Sequence, residues 1–404
     1  MVNIAVLGYG TVGSGVVEVI RTNPDSINKK AGQEINVKYV LDLRDFPGDP
    51  VEKILVHDFD IILNDPEVRI VVEVMGGVEP AYTFVKKSLL AGKSVCTSNK
   101  ELVAKHGPEL LEIARDQNIN FLFEASVGGG IPIIRPLNSS LTADEILEIT
   151  GILNGTTNYI LSKMTSEGAE FDDVLKKAQE LGYAERNPEA DVEGFDACRK
   201  IAILSSLAFG DHVDFEDIYT EGITKITAVD IAYAKQMRQA IKLLASSKRE
   251  GEHYYAMVAP FLVPPTHPLY AVNDVFNAIF VKGNVLGDVM FYGSGAGKLP
   301  TASAVVSDVV DATKHLERNI MSFWSSKKLE LTKVDEATRR FFVRTKGYLE
   351  NKLSEVEDLF GEITPVSAQG VDGEFGFITP LMTEEAFHKQ YQKLSDPLNR
   401  IRLL

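Results

Sequence analysis

Cysteine is nearly absent. Cys96 and Cys198 are the only two in 404 residues, and neither lies in a C-x-x-C spacing, so neither a disulfide framework nor a thiolate metal site is available. That pattern suits a reducing cytoplasm. Long apolar runs are missing as well: no stretch approaches the about 18 residues that a membrane-spanning helix needs, and no signal-like apolar segment follows a charged start. Positive charge is in deficit, with 42 Lys+Arg against 57 Asp+Glu and a formal charge of -15. Such a chain repels phosphate backbones and anionic bilayers, which excludes nucleic acid and membranes as expected partners. Histidine numbers only 7, with none from 121 to 210. Proton transfer in that stretch would fall to lysine and carboxylates.

What is present is enough for real cores. The chain is 45% apolar and longer than a single hydrophobic core usually grows, so two or three domains are expected. NIAVL (3–7) runs into GYGTVGSG and then into VVEVIRTN with helical spacing, which reads as strand, glycine turn, helix. Strands at 37–42, 70–74, 93–98 and 119–126 alternate with helices near 80–91 and 101–116. The strands are near-continuous apolar runs, as buried parallel strands are. From 146 the texture changes to longer strands and hairpins, including AIFVKGNVLGDVMF with Lys282-Gly283-Asn284 as its turn. After the polar stretch SSKKLELTKVDEAT, residues 340–404 read as a compact βαββαβ unit. The expected fold is thus α/β: a doubly wound domain, an attached α+β domain and a small terminal module.

Gly8-x-Gly10-x-x-Gly13 follows a strand and opens a helix, where glycines permit a tight turn, backbone approach to a pyrophosphate and close helix packing. Asp42 could accept from a ribose 2′-hydroxyl and favour NAD, whereas Arg44 could pair a 2′-phosphate and favour NADP. Preference stays open. Gly76-Gly77 and Ser98-Asn99-Lys100 each end a strand at the same expected sheet edge. A lysine there is either a solvated loop residue or one placed to meet a substrate. EASVGGGIP (124–132) offers one carboxylate and a turn whose carbonyls could converge on a hard cation. Taken alone, it is better read as a glycine linker.

The sharpest oddity is Lys200 in GYAERNPEADVEGFDACRK (182–200). On a helix from Asp196, at about 100° per residue, Lys200 falls in the apolar stripe beside Ile203 and Leu204. Arg199 falls with Ser206 on the side expected to face water. Asp196 lies one turn before Lys200 on the same face. Capping explains Asp196 and a solvated loop explains Glu185 and Asp191. A lysine in that stripe must instead be desolvated or border a cleft, which points to a functional site.

GYGTVG, SNKELVA, EASVGGGIPII, GILNGTTNYIL, GYAERNPEADVEGFDACRK and GSGAGKLPTASAVVSD, in this order, resemble homoserine dehydrogenase over residues 1 to about 318. Residues 340–404 resemble an ACT domain in element order. The resemblance implies a Rossmann-type NAD(P)-binding domain (1–130, completed by a helix at 301–317), a substrate and dimerisation domain (131–300), a linker (318–339) and the ACT-like module. It implies an oxidoreductase interconverting L-homoserine and L-aspartate 4-semialdehyde on the route to threonine and methionine, working as a homo-oligomer, dimer or tetramer, with an amino-acid effector at the ACT-like module. Lys200 and Lys100 would be catalytic, with Asp196 beside Lys200. Glu185, Asp191 and Asp196 would bind substrate. Gly8, Gly10, Thr11, Val12, Gly13, Arg44, Gly76, Ser98, Lys100, Gly182 and Gly297 would meet the cofactor. A Na⁺ or K⁺ site would map to Glu124 and the carbonyls of Val127, Gly129 and Ile131, in place of a plain linker. Aspartate-semialdehyde dehydrogenase, which needs a cysteine nucleophile, is the nearest rival: Cys96 lies inside a strand and Cys198 near the polar side of the Lys200 helix. A non-catalytic cofactor sensor is the rival from another class.

Overall fold

The computed structural model describes residues 1–404 and divides them into two compact units. The first comprises Met1–Glu145, Ala202–Phe215 and Phe291–Leu329, and the second comprises Ile146–Ile201, Glu216–Met290 and Glu330–Leu404.

The first unit is built on a six-stranded, all-parallel sheet. Its strands lie in the order Leu55–Val56, Ile35–Leu41, Val2–Leu7, Val68–Glu73, Ser94–Thr97, Phe121–Leu122. Chain order is therefore reversed beside Val2–Leu7, which makes the crevice at the strands' carboxyl ends a switch point where ligands bind in such sheets. Ile4, Val6, Ile70 and Val72 are fully buried, because helices cover both faces. The helix Lys298–Lys314 joins this unit and packs Val305 and Val309 into the same core as Val16 and Ile20 of the helix Thr11–Thr22.

Three details differ from the sequence reading. Between the strands expected at 37–42 and 70–74, where no further element is expected, the chain forms a 3-10 turn, Pro50–Ile54, and an edge strand, Leu55–Val56. The strand expected over 119–126 shrinks to Phe121–Leu122, followed by a 3-10 turn at Glu124–Ser126, since the Glu124 carboxylate is drawn inward to backbone donors. The expected linker is structured too: Trp324 is buried, with its indole N–H donating to His212 Nδ1 (3.3 Å).

The second unit is a ten-stranded mixed sheet. Its main path runs Gly287–Ser294, Phe276–Gly283, Ile146–Ile152, Ala240–Glu250, His253–Val263, Pro397–Leu403, Phe341–Lys346, Glu374–Ile378, Thr364–Val366. The hairpin turn falls at 284–286 rather than at Lys282-Gly283-Asn284, because Gly283 remains in the ladder opposite Ile146. Residues 340–404 keep the βαββαβ order, with the short strand Met382–Thr383 added. They also continue the sheet: Pro397–Leu403 pairs in parallel with His253–Val263, register Phe261↔Arg402. A buried ion network fastens the join. The guanidinium of Arg402, fully enclosed, donates to Glu384 (2.7 and 2.8 Å) and Glu221 (2.7 Å), and that of Arg344 donates to Asp230 (2.6 Å) and Glu374 (2.8 Å). Buried charges persist only when so thoroughly partnered.

Candidate active site

In the first unit the glycine turn is built from the main chain. Gly8 follows the strand Val2–Leu7 with φ +96°, a conformation that favours glycine. At Gly13 a Cβ would stand 1.9 Å from the Gly8 carbonyl oxygen, so any side chain would push the helix start away from the strand end. Thr11 opens the helix exposed, Val12 is half-buried and Gly10 is open to solvent. A cavity of about 510 Å³ at this edge is lined by Gly8, Gly10, Asp42, Arg44, His57 and Gly76.

Asp42 and Arg44, read as alternatives, are partners. Asp42 accepts from Arg44 Nε and Nη2 (both 2.9 Å) and from the Tyr9 backbone N–H (2.8 Å), and the Arg44 hydrogen bond holds its carboxyl well below the usual range. The guanidinium itself is largely exposed.

Glu73, at the end of the strand Val68–Glu73, escaped the sequence reading. It is fully buried, and burial pushes its carboxyl up. Its oxygens accept from Thr97 Oγ1 (2.6 Å) and the Met75 backbone N–H (2.8 Å). Thr97 in turn receives the Asn99 N–H (2.9 Å), and Asn99 Nδ2 donates to the Gly77 carbonyl (2.6 Å). The Gly76 and Ser98–Lys100 loops are thereby tied to one carboxylate. Lys100 is half-buried at the first position of the helix Lys100–Asp116, which Asn99 caps. Gly297 caps the helix Lys298–Lys314.

The Glu124 turn is a capping device. Its Oε1 accepts from the N–H groups of Ile133 and Ile134 (2.6 and 2.8 Å) and its Oε2 from that of Arg135 (2.7 Å). Val127, Gly129 and Ile131 are buried beside it. Three donors leave room for one further ligand on a carboxylate. Next to it Asp308 is pushed up to about 8, by burial first and by Glu124 second.

In the second unit Lys200 lies on the helix Phe195–Phe209 and is 8% exposed. Its Nζ donates to the Leu153 carbonyl (2.8 Å) and to Asp196 Oδ2 (2.7 Å). Asn154 Nδ2 donates to both Asp196 Oδ2 (2.9 Å) and Asp191 Oδ1 (2.7 Å), so one amide links the two acids. Asp191 comes from the helical turn Glu189–Val192. Lys200, Asp196 and Asp191 thus meet as the sequence reading expected. Glu185 does not join them: it is exposed, and its backbone carbonyl accepts from Gln179 Nε2 (3.0 Å). Gly182 lies just beyond the helix Phe171–Glu180, also exposed.

Two expectations for this helix fail. Cys198 and Ser206, placed near the polar side by the helical wheel, are both buried. The Ser206 hydroxyl is satisfied by donating to the Ala202 carbonyl (2.8 Å) and accepting from Val213 N–H (2.9 Å), so a polar residue there needs no water. Cys96 is buried too, and burial raises its thiol well above the ordinary value. A thiol so placed is no nucleophile.

A parallel sheet with a glycine turn at its switch point, together with a partner unit carrying a buried lysine–carboxylate cluster, defines a dinucleotide-dependent oxidoreductase. Family comparison agrees. The model of the homoserine dehydrogenase NAD-binding domain matches residues 8–124, and that of homoserine dehydrogenase matches 132–310. Homoserine dehydrogenase of a Synechocystis species is 50% identical over 317 residues, covering 77% of this chain and 73% of the relative. That of Bacillus subtilis is 43% identical, covering 79% and 74%. The crystal structure of a homoserine dehydrogenase from Thiobacillus denitrificans superposes with a TM-score of 0.89 at 36% identity, covering 100% of this chain and 98% of that one. A hyperthermophilic archaeal homoserine dehydrogenase in complex with NADPH gives 0.67 at 30%, covering 77% and 97%. The chain belongs to the homoserine dehydrogenase family and is an NAD(P)-dependent oxidoreductase.

Proposed function

We propose that this chain interconverts L-homoserine and L-aspartate 4-semialdehyde. The observation that carries the reading is the Lys200 ammonium, buried yet held by one carbonyl and one carboxylate in a cluster with a second acid. In the oxidising direction the neutral amine form of Lys200 accepts the alcohol proton and becomes the ammonium; in the reducing direction that ammonium returns a proton to the aldehyde oxygen. Asp196 orients it. Glu185 is assigned to the substrate's ammonium group and Asp191 to the polar network that supports the site, and Lys100 is its second lysine. The nicotinamide, when bound, supplies the hydride chemistry. The glycine turn, Gly76, Ser98, Gly182 and Gly297 are assigned to holding it, and Arg44 to its 2′-phosphate where NADP is used.

Four further assignments belong to this reading. A Na⁺ or K⁺ ion takes the remaining ligand direction of Glu124 with the carbonyls of Val127, Gly129 and Ile131. The ion-stripped enzyme should then regain activity on adding either salt, and indifference to both removes the ion. Residues 340–404 act as an ACT-like module for an amino acid of the threonine and methionine route. Calorimetry with each amino acid tests it. The chain works as a homo-oligomer in the cytoplasm.

Nicotinamide absorbance followed with L-homoserine, using NAD and NADP separately, tests the whole reading. Turnover with either cofactor supports it. Cofactor binding without turnover would make the chain a sensor instead.

A further inference from the structure

The amide of Asn154 does two things with its two ends. Oδ1 caps the helix Gly155–Glu167, accepting from the Thr157 backbone N–H (2.9 Å) and the Thr157 hydroxyl (3.1 Å). Nδ2 donates to Asp191 and Asp196 (2.7 and 2.9 Å). The residue before it, Leu153, gives its carbonyl to Lys200. Asn154 is 6% exposed. Capping alone does not require asparagine, because Asp, Ser and Thr cap helices comparably. Only the donor end distinguishes an amide. Two carboxylates brought to one point repel each other. An amide offers each of them a proton without adding a cation that would compete with Lys200 for Asp196.

We propose that Asn154 is a positioning residue for proton transfer: its Nδ2 holds Asp191 and Asp196 together and so fixes the direction in which Lys200 presents its ammonium. The proposal rests on the reading of Lys200 as the proton-transfer group. That ammonium meets Asp196 from its own helix and the carbonyl of Leu153, just past the strand Ile146–Ile152, while Asp191 from the turn Glu189–Val192 is joined to Asp196 through the Asn154 amide. Asn154 contributes no charge, which makes an isosteric change of charge informative.

Asn154→Asp keeps the shape and the cap but replaces the two donors with an oxygen. We expect kcat to fall about ten- to a hundredfold, the scale of a small misplacement in an active site. The pH at which oxidation accelerates should move upward, since an added carboxylate holds the proton on Lys200. Cofactor affinity by nicotinamide fluorescence should stay near the parent value, while the melting temperature should fall, because the two lost hydrogen bonds leave three carboxylates facing one another. Asn154→Ser keeps the cap and removes the reach. It should lose kcat without that upward movement, and it decides the matter should the Asp variant misfold. Parent-like kcat and an unmoved pH profile in Asn154→Asp, or parent-like kcat in Asn154→Ser, would overturn the proposal. Lys200→Met run alongside separates the two failures. If it is inactive while Asn154→Asp behaves as the parent, only the positioning role is wrong. If Lys200→Met turns over normally, the reading beneath the proposal falls.

Discussion

The glycine edge of the first unit and the acid–lysine cluster of the second are both polar sites in a largely apolar chain, yet they are made of different material. The glycine edge is backbone: what matters at Gly13 is the absence of atoms, because a Cβ would stand 1.9 Å from the Gly8 carbonyl. The cluster is side chains delivered from separate elements, with Asn154 at a helix start, Asp191 on a short turn, and Asp196 and Lys200 one turn apart on a third element. A backbone site is broken by adding bulk, and a side-chain site by removing a single functional group.

The largest expected effect follows from removal. Lys200→Met keeps the stem and its packing and should lose about 10² to 10⁴ in turnover, the usual worth of a general acid–base group, while cofactor binding stays near normal by nicotinamide fluorescence. Lys200→Arg should not restore it, because a guanidinium does not give up its proton near neutral pH. Substantial turnover in either variant would move the proton-transfer role to Lys100.

Addition should do the reverse. Gly13→Val pushes the helix start from the strand end, so dissociation constants for both cofactors should rise about tenfold or more, equivalent to about 1.4 kcal/mol. Turnover at saturating cofactor should change far less. If kcat falls with binding intact, the two sites are not separable in this way.

Arg44→Ala probes a side chain at the backbone site. It should raise the Michaelis constant for NADP more than for NAD, by up to about fivefold, since the guanidinium is exposed and already shares Asp42. Equal effects on both cofactors would take Arg44 out of the adenosine site.

The smallest effect concerns Glu73. Its folded carboxyl is raised by burial, so its contribution to stability is present at pH below the ordinary carboxylate range and is lost as pH rises toward the folded value. Melting temperatures of Glu73→Gln minus those of the parent should therefore increase from acid to neutral pH. A flat difference would show that the hydrogen bonds from Thr97 and Met75 offset burial entirely.

Much of the first unit was legible because its signals are local. Apolar runs, glycine spacing and the strand–turn–helix rhythm repeat within a few tens of residues, and the fold keeps them. The strand expected over 119–126 was lost for a non-local reason: Glu124 is satisfied by N–H groups at 133–135, a partnership that no strand pattern encodes. Likewise Cys198 and Ser206 looked solvent-facing on a wheel, and only the packing around their helix encloses them.

By itself the sequence determined the class of the first fold, the place of the glycine turn and the oddity of Lys200, since each depends on residue type and near spacing. Tertiary structure alone decided that Asp42 and Arg44 are partners, that Asn154 links two acids, and that residues 340–404 extend an existing sheet. Those facts rest on hydrogen bonds between residues tens to more than a hundred positions apart, or on which of two possible partners a charged group meets first. Charge and hydrogen-bonding capacity are written in the sequence, but the partner is chosen by the geometry that burial imposes.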